Sequence, residues 1–287
     1  MKNFKIKSFC KINLYLRVAK RLNNGYHNIR SLISFCNLSD IISVSKIKGN
    51  KDNINFIGNF KKGINKKSNT IVEVLKLLRK NNFLKNQAFK ISIEKNIPHG
   101  SGLGGGSADA AALLSSLNLK MNLKLSKSLL YKIANKTGFD VPIYLIRKNT
   151  LLTGNKRQLI RLNKKFHLNI LIVYPNLICS TKKIFKKNKI YTLIKPQSKL
   201  SIENKNKLIT LLKNEENDLE KSVVSLHPKV GRIIDFVKNQ KGCYFSRITG
   251  SGSACIGIFF NMKTSILAKK MIKKKFPNYW CVISKTI

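Results

Sequence analysis

The sequence predicts an α+β protein built in two halves with a cleft between them. Three observations carry that expectation. Apolar alternation of period two marks strands near both ends of the chain, apolar spacing of three and four marks helices between them, and the strand-and-helix pattern restarts beyond residue 160. The chain therefore divides into an N-terminal domain over 1–160 and a C-terminal domain over 161–287. With 287 residues, 43% of them hydrophobic, either one large or two small cores can form.

Residues 4–18 read as a strand. Ile12, Leu14, Leu16 and Val18 alternate with Lys11, Asn13, Tyr15 and Arg17, which places Lys11, Asn13 and Tyr15 together on the face opposite the core. Asn23-Asn24-Gly25 is a turn signal, and strand-like runs follow at 31–48 and 54–57. Ile71, Val74, Leu75 and Leu78 space a helix over 69–81. Phe89, Ile91 and Ile93 put a strand at 88–94. A glycine-rich loop then opens a helix that runs to about Leu117, and a second helix spans about Ser126 to Lys136. Gly138 ends it, and Asp140-Val141-Pro142 follows.

In the second half, His167 to Tyr174 reads as a strand closed by Pro175, and 201–240 as largely helical. Strands at Cys243–Ile248 and Ala254–Phe260 are joined through Gly250-Ser251-Gly252-Ser253. A basic helix over 263–275 and a strand from Trp280 to Ser284 complete the chain. The Lys- and Asn-rich stretch Lys182–Lys207 reads as a flexible loop.

Composition narrows the function. There are 56 basic and 12 acidic residues, a net charge of +44. The lysines are spread from Lys2 to Lys285 rather than clustered with aromatic residues, so no specific nucleic-acid partner is expected. Such a charge does attract polyanionic small molecules. A non-catalytic, RNA-associated basic protein is the competing reading, separable by the salt dependence of binding. The six cysteines show no C-x-x-C spacing and no pairing with the four histidines, which points to neither a disulfide framework nor a zinc site. No signal-peptide core or membrane-length apolar run occurs, so a cytoplasmic protein with no membrane partner is expected.

The chemistry centres on Pro98-His99-Gly100-Ser101-Gly102-Leu103-Gly104-Gly105-Gly106-Ser107-Ala108. Five glycines between a strand and an alanine-rich helix let backbone N–H groups converge on an anion at the positive end of the helix. That is a phosphate cradle, and hence a nucleotide site. The chain has no G-x-x-x-x-G-K-[ST], which excludes a Walker loop. Gly100, Gly102 and Gly105 fit G-x-G-x-x-G, but no Asp or Glu lies between Asp109 and Asp140 to hold a ribose. The protein-kinase signatures H-R-D and D-F-G are also missing.

Among the acids, Asp52, Glu203, Glu215, Glu216 and Glu220 lie in polar stretches that read as solvated. Asp140 lies between a helix-ending glycine and an apolar run, where it either acts as a half-buried functional acid or caps the next helix. Lys11 is either a cleft lysine or a solvated one on an outer strand face. Asp109 could equally be a solvated acid stabilising its helix. On local sequence these alternatives stay open.

Three separated segments together resemble the GHMP kinase superfamily: Lys11-Ile12-Asn13-Leu14-Tyr15-Leu16, the loop Pro98–Ala112, and Gly250-Ser251-Gly252-Ser253. Lys20-Arg21, Gly25-Tyr26-His27 and Gly138-Phe139-Asp140-Val141-Pro142 make the chain more similar to the branch that phosphorylates CDP-methylerythritol for non-mevalonate isoprenoid synthesis. The mevalonate and homoserine kinases, the nearest alternatives, share the loop but not those two elements.

The resemblance implies ATP with Mg²⁺, and a role for each matching position. Asp140 would take the proton of the substrate hydroxyl, and Lys11 would hold Asp140 ionised and stabilise the attacking oxygen. Pro98–Ala108 would wrap the phosphates, with Asn69 and Lys95 near the adenosine and Ser107 within reach of Mg²⁺. Asn13, Tyr26 and His27 would hold the cytidine diphosphate, Phe185 would stack on cytosine, and Thr181, Gly250, Ser251 and Gly252 would complete the acceptor side. Phe139, where the family prefers a small residue, and His99, where an apolar one is common, depart from the pattern.

Overall fold

A computed structural model describes residues 3–21, 27–154, 158–193 and 202–287. The chain forms two compact units. The first gathers Met1–Cys10, Leu38–His99 and Gly104–Arg147; the second gathers Lys11–Asn37, Gly100–Leu103 and Lys148–Ile287. The units interleave along the chain, so compact packing divides it differently from a single cut after residue 160.

Interleaving follows from two long strands. β1 (Phe4–Arg21) and β2 (His27–Ile47) each contribute residues to both units. In the first unit, Ile41–Ile47 of β2 pair antiparallel with β4 (Ala88–Glu94), and β3 (Asn53–Ile57) pairs parallel with β4 on its other edge. The helices of this unit are α1 (Thr70–Lys80), α2 (Gly105–Lys120), α3 (Lys127–Thr137) and the short α4 (Val141–Tyr144). Asn69 caps α1 by accepting the N–H groups of Ile71 and Val72, and the helix buries Ile71, Val74, Leu75 and Leu78, the predicted face. Ser126 caps α3 in the same way.

In the second unit, Ser31–Ile33 of β2 pair with β5 (Thr150–Thr153), which pairs with β6 (Gln158–Arg161). A separate four-stranded antiparallel sheet runs in the order β10–β7–β9–β8, from β7 (Asn169–Tyr174), β8 (Cys243–Ile248), β9 (Cys255–Phe259) and β10 (Trp280–Lys285). Helices α5 (Thr181–Lys187), α6 (Lys205–Lys213), α7 (Glu220–Leu226), α8 (Pro228–Lys238) and α9 (Met262–Lys275) belong to this unit. Leu171, Val173, Val223, Val230, Ile233, Ile248 and Ile272 share its core.

Several expectations change on folding. From Cys10 to Leu16, β1 is buried on both faces, so Tyr15 is as inaccessible as Leu14. Lys182–Lys207 is not simply a loop. Ser180 caps α5 and Ile184 buries it, and α6 starts at Lys205; 194–201 of that stretch lie outside the described residues. The helical region 201–240 is three helices, and the break at 214–218 is pinned to β1. Arg17 pairs with Glu215, Glu216 and the buried Asp218, whose other oxygen accepts the N–H of Val18 at 2.7 Å. The β5–β6 pair escapes sequence reading because four-residue strands carry too little periodicity. All six cysteines are free. Among the described residues no helix is long and apolar enough to cross a membrane.

Candidate active site

Lys11 is 4% exposed, which rules out the solvated-lysine alternative. Its ammonium donates to Asn13 Oδ1 at 2.6 Å and to the carbonyl of Gly102 at 3.0 Å. Asn13 is held in turn: Nδ2 donates to Ser31 Oγ at 2.7 Å, and the backbone N–H donates to Thr249 Oγ1 at 2.8 Å. A buried ammonium costs free energy unless polar oxygens surround it, and these contacts meet that need.

The two glycine-rich segments meet at this lysine within the second unit. A Cβ on Gly102, whose φ is +85°, would stand 2.1 Å from the carbonyl oxygen of Thr249. Only glycine permits that approach. Ser101 accepts from the N–H of Ala254, Gly100 accepts from that of Cys179, and Asn217 Nδ2 donates to the carbonyls of Ile248 and Gly250. Thr181 and Ser251 share a hydrogen bond of 2.9 Å between hydroxyls. The loop from Gly100 to Leu103 is thus fixed by backbone bonds on several sides, and Gly250, Ser251 and Gly252 lie against it.

The rest of the predicted cradle belongs to the first unit. Gly104 precedes α2 with left-handed torsions, and Gly105, Gly106, Ser107 and Ala108 form its first turn. The N–H groups of such a turn lack helical acceptors and face an incoming anion. Pro98 is buried and His99 exposed. Thr70 Oγ1 donates to the carbonyl of Gly106 at 2.8 Å.

Asn69 and Lys95 are occupied within the protein. Asn69 accepts two N–H groups of α1 and donates to the carbonyls of Asn65 and Lys66. The ammonium of Lys95, 3% exposed, bridges the carboxylates of Asp40 and Asp109, the latter at 2.6 Å. Asp109 is therefore not solvated; Ser8 donates to its other oxygen. Burial and repulsion from Asp109 push the Asp40 carboxyl up to about 7, against the pull of Lys95 and the Ile97 N–H. Burial opposes the charge on Lys95, but the two carboxylates outweigh it and raise its pKa.

Asp140 is half-buried and occupies the N-cap position of α4, with Pro142 in the first turn. Its carboxylate makes no capping hydrogen bond, so the capping alternative does not account for it. Phe139 beside it is 57% exposed. Two acids expected to be solvated are not. Asp52 pairs through both oxygens with Arg79, and Glu220 accepts the N–H of Ile248 while burial raises its pKa.

On the acceptor side, His27 lies 5.2 Å from the ring of Phe185 and stacks at 6.2 Å on Tyr191. Two residues far apart in sequence, both assigned to the cytidine end, thus share one aromatic group. Tyr26 lies outside the described residues. Sequence reasoning missed Ser31, Thr249, Tyr191 and Asp40. A lone Ser, Thr or Tyr in a strand or loop carries no local signal. Asp40 had one, an acid inside an apolar strand run.

Residues 69–147 match the family model "GHMP kinases N terminal domain" and 199–278 match "GHMP kinases C terminal", and the two together define a GHMP kinase. The chain is 39% identical, over the full length of both proteins, to the 4-diphosphocytidyl-2-C-methyl-D-erythritol kinase of Pelagibacter ubique, and 34% identical over 94% of each to that of Caldicellulosiruptor bescii. It belongs to the family of 4-diphosphocytidyl-2-C-methyl-D-erythritol kinases. Among solved structures, a 4-(cytidine 5'-diphospho)-2C-methyl-D-erythritol kinase matches with a TM-score of 0.74 at 22% identity, covering 98% of this chain and 99% of the other. A homoserine kinase from Cytophaga hutchinsonii also matches at 0.74, with 16% identity and coverage of 100% and 95%. The fold is thus shared across the superfamily, and substrate choice is a matter of side chains.

Proposed function

We propose that the protein transfers the γ-phosphate of ATP to the 2-hydroxyl of 4-(cytidine 5'-diphospho)-2-C-methyl-D-erythritol, in non-mevalonate isoprenoid precursor synthesis. The full-length similarity to kinases named for this substrate favours it over mevalonate, homoserine and RNA. The observation that carries the chemistry is the buried Lys11 ammonium, held by Asn13 and Gly102 beside the second glycine turn.

Phosphoryl transfer depends on positioning and charge stabilisation. In this reading, Pro98–Ala108 wraps the phosphates through backbone N–H groups and the N-terminus of α2. Lys11 stabilises the attacking oxygen as negative charge develops on it. Asp140 accepts the hydroxyl proton, and because a carboxylate is a weak base for an alkanol the proton leaves late. Asn13, Tyr26, His27, Thr181 and Phe185, with the turn at Gly250–Gly252, hold the cytidine diphosphate end. Mg²⁺ would come on the ATP phosphates and neutralise their charge, with the half-buried hydroxyl of Ser107 as the residue placed to hold it. The same reading takes 1–160 as an ATP-binding N-terminal GHMP kinase domain and 161–287 as the C-terminal one, in the cytoplasm, although compact packing groups Lys11–Asn37 and Gly100–Leu103 with the second.

The test is ATP consumption by the purified protein with the cytidine substrate, with mevalonate and homoserine in parallel. Turnover with the cytidine substrate alone is expected, and free CDP should compete. Turnover with mevalonate or homoserine instead would overturn the substrate assignment.

A further inference from the structure

The buried group Ser8, Asp40, Lys95 and Asp109 has no part in the transfer as described above. All four residues belong to the first unit, and each is at most 3% exposed. Two acidic side chains share one ammonium, an arrangement that a protein interior tolerates only when every oxygen is satisfied. Here they are. Asp40 Oδ1 accepts the N–H groups of Asn96 and Ile97 at 2.6 and 2.8 Å, and its Oδ2 accepts Lys95. Asp109 accepts Lys95 on one oxygen and Ser8 on the other.

The places these bonds reach are what matter. Asn96 and Ile97 are where β4 turns into the glycine-rich loop, and Asp109 is the fifth residue of α2, where the loop has ended. Gly105, the first residue of α2, packs directly on the same group: a Cβ there would stand 3.1 Å from the Ile97 side chain and 3.3 Å from Asp40 Oδ2. Entry and exit of the loop are therefore tied to one buried point. Between them only residues 98–104 remain to take a shape, and Gly100–Leu103 of these count with the second unit.

We infer that Asp40, Lys95 and Asp109 are positioning residues for the nucleotide loop, clamping its two ends so that its N–H groups are already set at phosphate geometry before ATP arrives. The inference rests on the loop being the phosphate site. It also reassigns Lys95, which acts from beneath the loop and not as a contact to the adenosine. A loop held in its binding shape loses less entropy when ATP binds. Loosening the clamp should therefore weaken ATP and leave the acceptor unaffected.

The test is steady-state kinetics with each substrate varied, together with ATP titration calorimetry, on the wild-type protein, Asp109→Asn and Lys95→Met. Asp109→Asn keeps the shape and the acceptor oxygen, so it serves if Lys95→Met fails to fold. The expected result is a fall in kcat/KM for ATP of about 10–100-fold, with the KM for the cytidine substrate within about twofold of wild type. An ion pair that only stabilised the core would lower Tm and leave the ATP constants of the folded protein as they were, and that result would overturn the inference. Wild-type protein that turns over without ATP binding at this loop would instead remove the site reading itself, and Gly102→Ala with unchanged ATP affinity would expose that case separately.

Discussion

The ammonium of Lys11 donates to the carbonyl of Gly102 at 3.0 Å, which ties the first strand of the chain to the middle of the glycine-rich loop. The lysine and the loop are consequently one structure. Charge at position 11 therefore helps to hold the loop.

Lys11→Met therefore should do more than remove a positive charge. It leaves Asn13 Oδ1 and the Gly102 carbonyl without their donor, and both turnover and thermal stability are expected to fall. Asp140→Asn keeps the size and shape of the side chain and should separate the two effects. Turnover in that variant should drop by about 10²–10⁴-fold, the usual worth of a general base, with Tm and ATP affinity retained. Wild-type turnover in Asp140→Asn would remove the residue from the mechanism.

Gly102→Ala is expected to abolish most activity, since the new methyl group collides with the backbone at Thr249, which has no rotamer to change. Gly63→Ala is the matched control. Its φ is +80° but nothing lies within 4 Å, so it should cost about 1–2 kcal/mol from torsion alone and leave kinetics intact. Parallel melting curves and initial rates decide the matter, and equal effects from the two substitutions would contradict the interlocked-loop account.

Phe185→Ala should raise the KM for the cytidine substrate and spare that for ATP. Aromatic stacking on a base is worth about 1–3 kcal/mol, roughly 5–150-fold in affinity. His27→Ala should act in the same direction, because the His27 ring packs on Phe185. A selective rise in the KM for ATP would place the two rings on the wrong substrate.

Asp40 makes stability fall with rising pH. Its carboxyl moves from near 3.8 to about 7 on folding, so the folded chain holds a proton that the unfolded chain has released. The contribution is complete below about pH 4 and is lost as pH rises toward 7. Lys95, raised on folding, keeps its contribution through this range. Relative to Asp40→Asn, which has no proton to lose, wild-type Tm should decline between pH 5 and pH 8. A flat difference curve would show the carboxyl to be ionised throughout.

Much of this molecule was legible in one dimension. The strand at 88–94, the strand at Cys243–Ile248, the first helix and the glycine-led second helix are set by local periodicity, by Asn69 as a cap and by glycines that leave few other conformations. The glycine-rich loop was equally clear, because its residues are consecutive. Folding decided what depends on burial and on distant partners. Lys11 and Asp109 each had a solvated alternative that sequence could not remove, since exposure is set by what packs above a strand or helix. Asn69 and Lys95 matched nucleotide positions, yet their polar groups are taken up by a helix terminus and by two carboxylates. Lys95 joins Asp40 and Asp109 from separate elements, and His27 meets Phe185, 158 positions further along the chain. Side-chain chemistry is written in the sequence, but the dielectric around a charge and the identity of its partner exist only once the chain has closed on itself.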